Sequence, residues 1–472
     1  MEGTVLKHSR VKALDRTIVH ILRPLVRAYI LGYASSISPR LLGLLLSVIK
    51  GKKSQKCGQT SPFKSFLEIL RGGLELQRFP TFCATLIVIS GFVNRILPSL
   101  PTSPQLRLTR FISAFLAGWL GLELLHSKSS PRYVQDVTIE TPHGPITKQI
   151  RLAGRTIDLT LFAVTRALDI VINDIWSRRK KRQGLAGNRA KLEILISKLA
   201  DPLIFSSSCT LIMFTWLYTP ERLPRSYNNW IKSAAAVDMR LLQLLRQFRD
   251  GTLEYGIEKP DPNTLKDMCK DYNWPLEWSD HAKTIPVPCH VIHLKDGHNC
   301  EYHAIARLVR SFFWALKTYL PLNLILVARN PSIKSMKRAI RSAIRSSAFL
   351  GTFIALFFYG ICLARSRIGP CIIGTSTESR QKIEAGINIG GGCLLCGWSV
   401  LVENPARRRE LGLFVAPRAM ATIMPRTYSI KNQWKETLAF SLSTAVVFTA
   451  VTEKPNKVRG LLGKILQIVL VK

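Results

Sequence analysis

A chain of 472 residues with a formal charge of +37 would, in water, read as a nucleic-acid binder driven by phosphate neutralisation. Its apolar fraction of 47% and mean hydropathy of +0.12 argue against that class. The apolar residues gather in charge-free blocks with the charges between them, the pattern imposed when lipid is the solvent.

The chain begins with a polar tail over residues 1–14, and Met1 to Arg23 lacks the continuous apolar run and cleavage site of a signal peptide. Asp15 to Tyr33 is a helix of mixed character, its apolar face cut by Arg23 and Arg27. After a polar loop at Gly51–Ser61, Phe79–Asn94 is the first block near the length of a membrane span. Phe111–Leu122 is a weaker one, ending at Glu123 and His126. Thr141-Pro-His-Gly-Pro145 reads as a hairpin turn. Arg155–Trp176 is apolar but carries Asp158, Arg166 and Asp169, and the basic run Arg178–Arg182 follows it. Pro202–Pro220 is a clear span. A soluble insert rich in turn residues fills Arg240–Asp296, and Glu301–Tyr319 is again mixed. Ser346–Ala364, Ala385–Val402 and Thr437–Thr452 complete the spans. Ten cysteines fall singly along the chain, several inside apolar blocks, so reduced thiols are expected rather than a secreted disulfide framework.

Four segments recur in the same order. Val26–Ile30 echoes Leu316–Leu320, and Leu116-Ala-Gly-Trp-Leu-Gly-Leu122 matches Leu395-Cys-Gly-Trp-Ser-Val-Leu401. Asp158–Leu168 matches Glu410–Met420, and Leu203–Ser208 matches Leu438–Ser443. The expected fold is therefore all-α: a multi-pass integral membrane protein of two tandem, diverged helical bundles at 15–232 and 305–472. A Cys/His-bearing insert joins them at 233–304. Duplicated bundles place transport sites between their halves, but duplication for packing alone explains the pattern as well.

Charges inside apolar helices are costly unless paired or facing a wet interior. Arg166 and Asp169 sit three apart on one helical face, so either a structural ion pair or a pathway lining follows. Asp158 and Arg418 join them as candidate intramembrane polar groups, Arg418 being the repeat counterpart of Arg166. Gly386, Gly390, Gly391 and Gly397 belong to a Gly-rich span. Close helix packing explains them better than a phosphate loop, because no Lys-Ser/Thr follows. Cys393 and Cys396 within the same span read as small packing residues. In and beside the insert, Cys289, His293, Cys300 and His303 form Cys/His pairs at zinc-like spacing; a compact loop with reduced cysteines is the alternative. Catalytic elbows, Walker sequences and HExxH are missing from the sequence, so no enzyme and no cofactor other than zinc is expected. The expected partners are the lipid bilayer and anionic lipid headgroups facing the basic loops, with other membrane proteins or a second copy beyond them, and no nucleic acid.

Several stretches are similar to fungal members of the transmembrane protein 135 family. They are Pro288–His293 with Asn299–His303, Leu217–Trp230, Tyr319–Leu324 and Asn404–Phe414. The resemblance covers residues 200–420 and implies a multi-pass protein of the peroxisomal membrane, in a family also linked to mitochondria and to lipid handling. The family is distantly similar to Tim-type translocase subunits, which makes a protein-import channel the first alternative function and a membrane-embedded enzyme the second. It supplies no catalytic residues to carry over.

Overall fold

The computed structural model describes residues 2–49, 62–96, 103–128, 130–141, 144–183, 188–257, 263–328, 331–455 and 458–470. The chain is mostly helical. In order come α1 (Glu2–Ile49), α2 (Pro62–Gly73), α3 (Phe79–Ile96) and α4 (Ser103–His126). Strands β1 (Val134–Thr141) and β2 (Gly144–Ala153) precede α5 (Ile157–Gln183), α6 (Asn188–Tyr218), α7 (Arg225–Ala235), α8 (Met239–Arg249), α9 (Thr264–Tyr272) and α10 (His290–His293). Next are α11 (Cys300–Val327), α12 (Ile333–Cys362), α13 (Gly369–Ile373), α14 (Thr377–Lys382), α15 (Asn388–Cys396) and α16 (Pro405–Ile423). A short β3 (Tyr428–Ser429), α17 (Gln433–Glu453) and α18 (Gly460–Leu470) end the described chain.

Local chemistry sets several of these boundaries. Asn299 caps α11 by accepting from the backbone N–H groups of Glu301 and Tyr302. Ser332 and Ser335 form a reciprocal capping box at the start of α12. Pro405 opens α16 at a position where its missing N–H costs nothing.

By length and composition, four helical segments can cross a membrane: Gln105–His126, Glu193–Tyr218, Ile333–Ile373 and Thr377–Val402. Phe79–Phe92 is a shorter apolar helix. Three of these overlap the clear spans of the sequence, and the weak block at Phe111 grows into a full-length helix. The expected span at Thr437–Thr452 is helical but not among the four. Its Ser and Thr residues lower its hydropathy, and Thr437, Ala445 and Val451 are fully buried.

The chain divides into two compact units, one of residues 1–184 with 426–472 and one of residues 185–425. In this division α6 belongs to the second unit and α17 to the first. In the first unit α1 packs on α3, α3 on α4, and both α4 and α5 pack on α17. In the second, α11 packs on α12, α12 on α15, and α6 packs on both α15 and α16. The insert, with α8 to α10, joins the core of the second unit through Leu241, Met268 and Val291.

The mostly helical fold expected from the sequence carries one small sheet. The hairpin read around Thr141 is real: β1 and β2 pair antiparallel from Val134 opposite Arg151 to Thr141 opposite Gly144. β3 adds beside Leu152 and Ala153. Gly154, at φ +120°, lets β2 approach the carbonyl of Arg426 where a Cβ would collide.

Candidate functional site

Each unit contains an apolar cavity of about 400 Å³. That of the second unit lies among α6, α7, α11, α12 and α16. That of the first lies among α1, α3, α5, α17 and α18. Their linings coincide with the repeated segments. The register that matches 158–168 with 410–420 puts Leu159, Phe162 and Ala163 opposite Leu411, Phe414 and Val415, and all six face a cavity. Carried along α6 and α17, the register of 203–208 with 438–443 puts Phe205, Cys209, Ile212 and Met213 opposite Phe440, Thr444, Val447 and Phe448. Again all of them line a cavity.

The contacts that hold these helices also recur. Gly118 on α4 lies so close to α17 that a Cβ would stand 3.0 Å from Ser441 Cα. Its matched residue Gly397, just after α15, lies against Ser206 of α6, whose match is Ser441. In both places glycine lets one helix backbone rest on a serine of the next.

The four candidate polar residues separate. Arg166 is buried at the first cavity with its guanidinium 5.2 Å from the centroid of Phe162, a cation–π arrangement. Its counterpart Arg418 lies 3.8 Å from Phe414 and 5.5 Å from Tyr227, both lining the second cavity, and donates to the Phe414 carbonyl at 2.6 Å. Asp169 accepts from Asn173 Nδ2 at 2.8 Å. Asp158 is largely exposed and pairs with Arg426 at 2.7 Å, away from the cavity. Among the glycines, Gly391 meets Ala364 and Gly360 of the preceding helix, and Gly386 takes φ +152° beside Arg249. Gly390 faces open space, which corrects its expected packing role; Gly392, against the Phe357 carbonyl, holds that position instead.

Sequence reasoning missed two buried polar groups. Arg365 and Glu384 are both nearly inaccessible and form an ion pair; Arg365 also donates to the Val287 carbonyl, and Asn388 Nδ2 donates to Glu384 at 2.8 Å. In the first unit, the Glu436 carboxylate accepts from Thr156 at 2.6 Å, from Thr160 at 3.0 Å and from Tyr428. Each charge lies at the edge of an apolar block, where it reads as a flanking residue rather than a buried one.

A Cys/His cluster lies where the insert meets α11 and α12. Ligand atoms of His293, Cys300 and Cys362 all lie within 4.8 Å of one another, with His293 Nε2 3.3 Å from Cys362 Sγ. Cys289 is outside that group. His303 is not in the group, a correction with a clear cause. Its ring stacks on His293 at 4.6 Å, and its Nδ1 is held by Asp296 at 2.7 Å. Burial, with Arg307 and His293 beside it, pushes the His303 pKa down to about 4, so the ring is neutral at physiological pH. Compared with known proteins, the chain matches no described family, no curated sequence and no solved structure.

Proposed function

We propose that this chain is a multi-pass organelle membrane protein that holds lipid acyl chains in two related helical bundles, acting non-enzymatically in lipid or metabolite handling. The observation that carries the reading is the pair of cavities lined at matched positions of the repeated segments. The first hollow, whose wall carries Arg166 over Phe162, and the second, with Arg418 over its lining residue Phe414, suit an acyl chain ending in an anionic group. The resemblance to the transmembrane protein 135 family favours the peroxisomal membrane, with the mitochondrial membrane as the alternative.

The same reading accounts for the division of the chain. α1, α3, α4, α5 and α6 would form one repeat, and α11, α12, α15, α16 and α17 the other. The fifth helix of each is then exchanged, which is why α6 lies among the second repeat's helices and α17 among the first's. The recurring glycine-on-serine contact is the strongest support for that exchange.

The test is photolabelling in membranes with a phospholipid bearing a photoactivatable acyl chain. Expected adducts map to α6 around Cys209 and to α17 around Thr444, above those on the exposed residues Leu168 and Leu211. Ala163→Trp and Cys209→Trp, which fill one cavity each, should each remove only their own adduct. Equal labelling of cavity and exposed positions, unaffected by either substitution, would overturn the reading.

A further inference from the structure

We propose that Cys289, His293, Cys300 and Cys362 form a structural zinc site that fastens the insert to the ends of α11 and α12. Three thiols and one imidazole are a donor set that selects zinc, which takes four such ligands tetrahedrally. Bond lengths of about 2.3 Å to sulfur and about 2.0 Å to nitrogen place tetrahedral donors about 3.5–3.8 Å apart. The His293 Nε2 to Cys362 Sγ separation of 3.3 Å and the 4.8 Å limit on the three-donor group lie close to that geometry. Cys289, just before α10, lies outside the three-donor group and would turn its side chain toward Cys300 to supply the fourth donor.

The surroundings fit a metal site as well. His293 Nδ1 donates to the Gly297 carbonyl at 2.8 Å, which leaves Nε2 as the free nitrogen facing the sulfurs. Metal-bound imidazoles are commonly fixed in this way by a backbone carbonyl. Three thiolates, one neutral imidazole and Zn²⁺ carry a net charge of −1, the three thiol protons passing to solvent on binding. Arg365, paired with Glu384, lies near enough to Cys289 and Cys362 to favour their thiolates electrostatically. All four donors come from the protein, leaving no open position for substrate, so the site is structural rather than catalytic. It joins α10, the first residue of α11 and the last residue of α12. The end of α12 is distant in sequence from α10 and the start of α11, and the Arg365–Val287 and Arg367–Glu301 bonds tie the same segments together.

The experiment uses the full-length chain, purified in detergent without a polyhistidine tag or chelator, with zinc measured by elemental analysis. About one zinc per chain is expected. Cys300→Ser combined with Cys362→Ser should lower that about tenfold, whereas His303→Gln should retain the metal. If the double variant fails to fold, alkylation of the native protein followed by mass spectrometry still decides. Cys289, Cys300 and Cys362 should resist alkylation until a chelator removes zinc and regain protection when zinc is returned, while the exposed Cys371 reacts throughout. Native protein without zinc, these thiols reacting alike with and without chelator, or a disulfide joining two of them, would overturn the proposal.

Discussion

In each of the two units a glycine lets one helix rest on a serine of another, yet the units bury their polar groups by different means. At the shared contact, Gly118 meets Ser441 in the first unit and Gly397 meets Ser206 in the second. Beyond it, the second unit buries a full ion pair, Arg365 with Glu384, between the ends of two apolar segments. The first buries one carboxylate, Glu436, and satisfies it with hydroxyls from Thr156, Thr160 and Tyr428. Small-residue contact and hydrogen bonding both hold helices together where lipid removes the hydrophobic driving force. The glycine contact belongs to the common plan, and the buried charges are additions peculiar to each unit.

Substitutions separate the shared from the particular. Glu384→Gln leaves Arg365 buried without its counter-charge and should cost about 3–5 kcal/mol. This would be read as loss of the monodisperse peak in detergent size-exclusion after mild heating; an unchanged profile would mean the pair is dispensable. Gly397→Leu and Gly118→Leu drive a side chain into a serine backbone and should each cost about 1–3 kcal/mol, with similar falls in melting temperature. Gly390→Leu, facing open space, is the control expected to change nothing. A fall at only one of the two matched glycines would break the equivalence. Thr156→Val with Thr160→Val removes two donors from Glu436 and should cost about 1–3 kcal/mol, confined to the first unit. Hydrogen exchange that slackens α17 and leaves α12 protected would show that confinement. Asp158→Asn breaks only an exposed pair with Arg426 and should change stability by less than about 1 kcal/mol.

Much of the helical layout was legible because lipid-compatible segments advertise themselves by lacking charge. The blocks at Pro202, Ser346 and Ala385 all became long helices. Thr437–Thr452 misled because it lacks charge yet is rich in hydroxyls that hydrogen-bond within a packed core. Repeated segments were visible, but the packing of α6 in the second unit and of α17 in the first was not, since matching sequences do not say which partner a helix chooses. Three of the four proposed zinc donors could be found from local spacing. Cys362 could not, because it ends a long apolar helix and reaches His293 only through the tertiary fold. Arg365 was legible as a charge but read as a boundary, and its partner Glu384 lay just outside the next block.

The most direct measurement is an experimental structure of the full chain in a lipid nanodisc. Superposing α1, α3, α4, α5 and α17 on α11, α12, α15, α16 and α6 should align helix on helix, with Gly118 over Gly397 and acyl-chain density beside Phe440 and Phe205. A best fit that instead pairs α6 with the first five-helix set, or that aligns the helices with both hollows filled by side chains, would contradict the account.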